Sequence, residues 1–287
     1  MARSGIEILW DDEEADINGF MLEACGVDSN DFILNEWLFT RENFEKNYKV
    51  LVNMAKNRDR RAPYFVLGYY ALLTGAEISE RLRQKILEVA AWEHEEGYWQ
   101  DKAFALGRKV YLKDFCAKIS LLRPGLILHA ANFKYLGQDF LEDKVVVGLE
   151  QFNEFFESGR ISKISHVNLD GWGLNSIPKE IYRLKHLQSL SLEFNQITRI
   201  PSDISELESL EYLYLSYNHL SSLPSSVGML SSLKDLDIIH NSISSLPGSL
   251  KDLKGLEHIY VRGTKIKTAP NFLANSRFDK LNSTIYL

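Results

Sequence analysis

LQSLSLEFNQITRIPSDISELES, residues 187–209, and LEYLYLSYNHLSSLPSSVGMLSS, residues 210–232, superimpose position for position. In each, an apolar residue returns at positions 1, 4, 6, 11, 14 and 18, asparagine stands at 9 and proline at 15. Leu233 and Leu256 open two further units of 23 residues, and Ile164 opens one before them. A fixed period in the twenties is the signature of a solenoid, in which each unit is one turn of the chain. A single turn cannot bury its own apolar residues, but stacked turns share one continuous core.

The physics of one unit explains its pattern. In the third, Leu213 and Leu215 put alternate side chains on one face of a short strand, following the strand period of 2. Asn218 follows the strand, with Asn195 and Asn241 at the same place in the neighbouring units. Stacked side-chain amides at that point would form a ladder that satisfies buried backbone groups. Leu220, Leu223, Val227 and Leu230 return the chain along the other side, with Pro224 fixing φ at the return. The whole pattern, LxxLxLxxNxLxxLPxxLxxLxx, resembles the bacterial-type and Ras-group-like leucine-rich repeats. That resemblance implies an α/β solenoid with a short parallel sheet on its concave face, the face where the family commonly binds a partner protein. Two departures stand in the array: Trp172 and Thr264 occupy the asparagine position in the first and fifth units.

A chain of 287 residues exceeds the usual single domain, and 45% apolar residues suffice for real cores. We divide it into a mostly helical region, 1–160, and a repeat region, 161–287, of five repeats and a C-terminal cap. Residues 1–160 hold 20 basic and 27 acidic residues, and residues 161–287 hold 13 and 12. No basic face emerges, so a nucleic-acid binder is not expected. Cys25 and Cys116 lie far apart, as in a reduced, cytoplasmic protein. Acidic residues from Asp11 on interrupt any signal-peptide core, and no apolar run reaches membrane-spanning length.

Before the repeats the spacing predicts a strand over Ile6–Trp10, an acidic turn over Asp11–Asp16, and then helices. Thr40 is placed to cap one running to about Asn57, with Phe44, Tyr48, Leu51 and Ala55 on one face. Pro63 suits the first turn of a second, which ends near Gly75. Ser79 begins a third with Leu82, Ile86, Val89 and Ala90 inward, and Asp101 opens a longer one through Phe104, Tyr111, Phe115, Ile119 and Leu122. GLILHAANFKYL, within 125–140, fits either a helix or a strand. A last helix is expected over about 141–158, laying Val146, Leu149, Phe152 and Phe156 over the first coil as its cap. Asn271–Leu287 leaves the repeat and is expected to close the other end.

Catalytic chemistry finds little support. His94 lies in WEHEEGYW, but consecutive helical residues diverge and no histidine stands at i+4, so a solvated helix end is expected rather than a metal site. Cys25 or Cys116 as nucleophile would need His94 or His129 brought near as base. No phosphate loop, dinucleotide motif or nucleophile elbow is present. We expect no cofactor and no metal.

The concave sheet remains, with positions 3, 5 and 7 of each unit pointing outward. They include His166, Asn168, Asp170, Ser189, Ser191, Glu193, Tyr212, Tyr214, Asp235, Asp237, His258, Tyr260 and Arg262. At roughly 4.8 Å per strand the face is about 20 Å wide. Tyr212, Tyr214, Asp235 and Asp237 form the expected centre of a partner-binding patch, flanked by Glu193, His258, Tyr260 and Arg262. Exposed tyrosines give contact area at low entropic cost. Two aspartates on one strand face repel each other by about 0.5 kcal/mol in water, and strands disfavour aspartate, so folding alone gives no reason for the pair. The Tyr214→Ala, Asp237→Ala double change is therefore expected to abolish binding without lowering stability. The function expected is that of a monomeric protein-interaction module. An alternative keeps an enzymatic, effector or immunity activity in the helical region, with the repeats selecting its target.

Overall fold

The computed structural model describes residues 12–34, 38–58, 60–97, 102–129 and 144–267. Contacts divide the chain into two compact units, Met1–Leu141 and Glu142–Leu287. Each has its own hydrophobic core.

The first unit is helical: α1 (Asp12–Ala24), α2 (Ser29–Leu34), α3 (Arg41–Lys56), α4 (Ala62–Thr74), α5 (Glu80–Val89) and α6 (Lys102–Leu121). Thr40 caps α3 by a reciprocal capping box with Asn43, and Ser79 accepts from the Leu82 amide to cap α5. Both caps satisfy amides that the first turn leaves without partners. Every residue of α4 is buried, because it packs against α1, α3, α5 and α6. The acidic turn expected over Asp11–Asp16 is instead the start of α1 from Asp12. Carboxylates are favourable at a helix N-terminus, where the amide dipoles leave partial positive charge. Ile6–Trp10, Asp101, most of the 125–140 segment and Asn271–Leu287 lie outside the described residues.

The second unit is a six-stranded parallel sheet in sequential order. Its strands are β1 (Val145–Val147), β2 (His166–Asn168), β3 (Ser189–Ser191), β4 (Tyr212–Tyr214), β5 (Asp235–Asp237) and β6 (His258–Tyr260). From β2 onward the register pairs position 3 with position 3, so His166, Ser189, Tyr212, Asp235 and His258 form one row across the sheet. The return side of each of the first four coils is one 3₁₀ turn entered through Pro178, Pro201, Pro224 or Pro247. Ile181, Ile204, Val227 and Leu250 of those turns are fully buried, opposite the strand leucines.

The helix expected over 141–158 is corrected: it is a strand, β1, followed by a shorter helix, α7 (Leu149–Glu157). Three consecutive valines favour extended backbone. Gly148, at φ 83°, then breaks the strand and starts the helix. β1 pairs with β2, and Val146, Phe152 and Phe155 join the same core as the coils.

Asparagines hold the coils together. The Asn218 side chain accepts from the Ile197 amide at 2.9 Å and donates to the carbonyls of Leu192 at 2.8 Å and Leu215 at 3.0 Å. It thus ties its own coil to the one before. Asn195 does the same for Leu174 and Leu169, and Asn241 for Leu220 and Leu215. Asn218→Ala strips partners from several buried backbone groups, so it is expected to lower stability by about 1–3 kcal/mol. An unchanged urea midpoint would show that water replaces the amide without penalty.

Candidate functional site

Three adjacent strands bring the expected patch together. On β4, Tyr212 and Tyr214 have ring centroids 6.5 Å apart and planes 12° from parallel. On β6, His258 and Tyr260 repeat this at 5.9 Å and 21°. Between the two ring pairs, β5 carries Asp235 and Asp237. The sheet register places Tyr212, Asp235 and His258 in one row and Tyr214, Asp237 and Tyr260 in the next. Arg262 is exposed just beyond β6, whereas Glu193 is buried beyond β3.

Burial divides this set, correcting the expectation of a uniformly open patch. Tyr214 is 2% exposed and Asp237 4%, while Tyr212, Asp235, His258 and Tyr260 remain partly accessible. Asp237 Oδ1 accepts from the Ser216 hydroxyl and from the Ile239 amide. Asp235 Oδ1 lies 2.9 Å from His258 Nδ1. Folding therefore does account for both aspartates: each carboxylate has a hydrogen-bonding group beside it, which offsets its desolvation. The Tyr214→Ala, Asp237→Ala pair is accordingly a poor probe of binding, since it would open a cavity and break a buried hydrogen bond. Burial first, then the neighbouring carboxylates Asp235 and Glu193, push the Tyr214 hydroxyl well above its ordinary pKa. Tyr260 is raised by burial and then by Asp235 and Asp237.

Toward the N-terminal end the same positions are closed. His166, Asn168, Asp170, Ser189, Ser191 and Glu193 are all buried. Asp170 is the centre of this group, accepting from the Ser191 hydroxyl at 2.6 Å, the Glu193 amide at 2.8 Å and the Asn168 amide nitrogen at 2.9 Å. The accessible concave face therefore belongs to coils three to five.

Two features were missed in the sequence. Lys234, beside β5, pairs with Glu211 and holds its ammonium 5.9 Å from the Tyr212 ring centroid. Position 8 of the coils forms a second column: Phe194 and Tyr217 stack at 4.5 Å, and Tyr217 and His240 at 4.6 Å. All three have positive φ, as do Gly171 and Gly263 at the same position. At Gly263 a Cβ would collide with the His240 ring, so the ring column ends where glycine makes room for it. Reading down position 8 of the aligned units would have exposed this column.

Elsewhere, burial pushes the Cys25 and Cys116 thiols up to about 11. His129 is driven down to about 3 by burial and then by Lys118. His94 is exposed at the end of a 3₁₀ turn, but its neighbour Glu95 is buried and binds Arg61 and Arg108. Among the described residues no group of three or more His, Cys, Asp or Glu side chains is arranged to hold a metal ion. No described helix is long and apolar enough to cross a membrane.

Residues 162–220 match the family model for leucine rich repeats. A solved leucine-rich-repeat protein of Leptospira interrogans is 31% identical over 49% of this chain and 34% of that one, with a TM-score of 0.40. The match thus spans about a third of that protein. No curated protein matches the chain. The matched residues take in the first two coils and half of the third, and the register of 23 continues unchanged to β6, so the second unit is an array of leucine-rich repeats.

Proposed function

We propose that this protein is an interaction module that binds a partner protein on the concave face of coils three to five and performs no catalysis itself. The observation that carries the reading is the accessible set Tyr212, Asp235, His258, Tyr260 and Arg262 on three adjacent strands. Rings on a rigid sheet lose little entropy on binding, and aromatic and arginine side chains dominate interface energetics. The reading without catalysis draws support from the two cysteines. Thiols raised to about 11 hold almost no thiolate at neutral pH, and the thiolate is the nucleophile.

The test uses the full chain as bait in a lysate of its own source cells. The Tyr212→Ala, Tyr260→Ala double variant is expected to lose the captured protein while melting within a few degrees of the parent. Both tyrosines are partly exposed, so their truncation leaves no large cavity. Undiminished capture by the folded variant would move the binding site off this face.

A further inference from the structure

The concave face has a charge character. Among positions 3, 5 and 7 of the five coils, Asp170, Glu193, Asp235 and Asp237 are acidic, and Arg262 is the cation. Most of that negative charge is buried, and Asp235 is the carboxylate that remains partly accessible at the centre of the open coils, with its Oδ1 already 2.9 Å from His258 Nδ1. Its strand runs between the ring pairs of β4 and β6, which lie roughly 10 Å apart at two inter-strand steps. One of those rings already receives a cation from within the chain, since the Lys234 ammonium sits 5.9 Å from the Tyr212 centroid.

A carboxylate between aromatic side chains suits one ligand chemistry above others. A guanidinium is planar and weakly hydrated. It can lie against a ring while donating to the carboxylate oxygen that a neighbouring side chain leaves open. An ammonium offers the charge without the flat face. Arg262 adds direction: it stands at position 7, beyond the C-terminal end of β6, while Asp235 stands at position 3. In coils four and five a cationic group is therefore favoured at the N-terminal ends of the strands and repelled from the other end.

We infer, resting on the concave-face reading above, that the partner segment recognised by coils three to five carries an arginine, whose guanidinium sits on Asp235 between Tyr212 on one side and His258 and Tyr260 on the other.

Fluorescence anisotropy on the full chain tests this with three labelled glycine–serine nonapeptides containing three arginines, three lysines or three glutamates. The arginine peptide is expected to bind at least tenfold tighter than the glutamate peptide, with lysine between. Asp235→Asn keeps the shape of the side chain and is expected to weaken the arginine peptide about tenfold, the scale of a hydrogen bond to a charged group. It should also remove the preference for arginine over lysine. Asp252→Asn removes the same charge from an exposed site on the return side of the fourth coil and is expected to change affinity less than twofold. Equal losses in the two variants would reduce the effect to general attraction between charges and overturn the inference, as would equal binding of arginine and glutamate peptides. Running Asp235→Asn in the capture experiment separates this inference from the reading beneath it. Capture lost in the tyrosine double variant but kept in Asp235→Asn sinks the arginine and spares the face. Capture kept in both sinks the two together.

Discussion

Phe152→Ala is expected to destabilise the repeat unit by about 3–5 kcal/mol, the usual range for truncating a buried phenylalanine. Phe152 is 1% exposed and packs on Phe156 with centroids 4.8 Å apart. Together with Val146 and Phe155 it covers the apolar end of the first coil, and this core continues without interruption to Ile266. In a solenoid each turn is stabilised mainly by its neighbours, so the loss of a terminal contact is felt first by the adjacent turn. Hydrogen exchange should therefore show the amides of Val167 and Leu169 losing protection before those of Leu236 and Ile238. The urea midpoint should fall in parallel. Uniform loss of protection along the array, or an unmoved midpoint, would mean that β1 and α7 decorate the coils rather than cap them.

The repeat was legible because its period is local and redundant. Leu190, Leu213, Leu236 and Ile259 each announce the same strand position, and Asn195, Asn218 and Asn241 the same turn. α3 and α5 were legible for a similar reason, since Thr40 and Ser79 mark their starts by hydrogen bonds made within three residues. β1 was not, because three residues are too short a run to set a period, and the run continues into the helical spacing of α7. Its partner is His166–Asn168, more than twenty residues away. The composition of the concave face could be read from positions 3, 5 and 7, but its burial could not. Ser216 lies 21 residues before Asp237, the carboxylate it binds, and only the stacking of coils brings them together. What strand alternation marked as outward turned out to be two populations, one holding the sheet together and one accessible above it.

The WEHEEGYW segment gives the other large effect. Its three glutamates are equivalent in composition but not in the fold, where Glu93 and Glu96 are exposed and Glu95 is 5% exposed. Glu95 Oε1 accepts from Arg61 Nη2 at 3.1 Å and Arg108 Nη2 at 3.2 Å, and Oε2 accepts from Arg108 Nε at 3.0 Å. Both guanidinium carbons lie 5.3 Å from the Phe65 centroid on α4. Arg61 Nε also donates to the Val89 carbonyl at 2.7 Å, at the end of α5. One carboxylate thus joins the turn at Trp92–His94 to α4, α5 and α6. Glu95→Ala would leave two cations side by side, with the Arg108 side chain only 9% exposed. Removing one partner of a buried ion pair costs about 3–5 kcal/mol, because the charge that remains is desolvated and uncompensated. Glu96→Ala, at an exposed position without those contacts, is expected to stay within about 0.5 kcal/mol. The comparison is made by urea unfolding of the full chain, following the helical unit by amide exchange in α4 and α6. Equal midpoints for the two variants would show that Arg61 and Arg108 find water as readily as they find Glu95. A wide separation would place the structural weight of the segment on its one buried carboxylate.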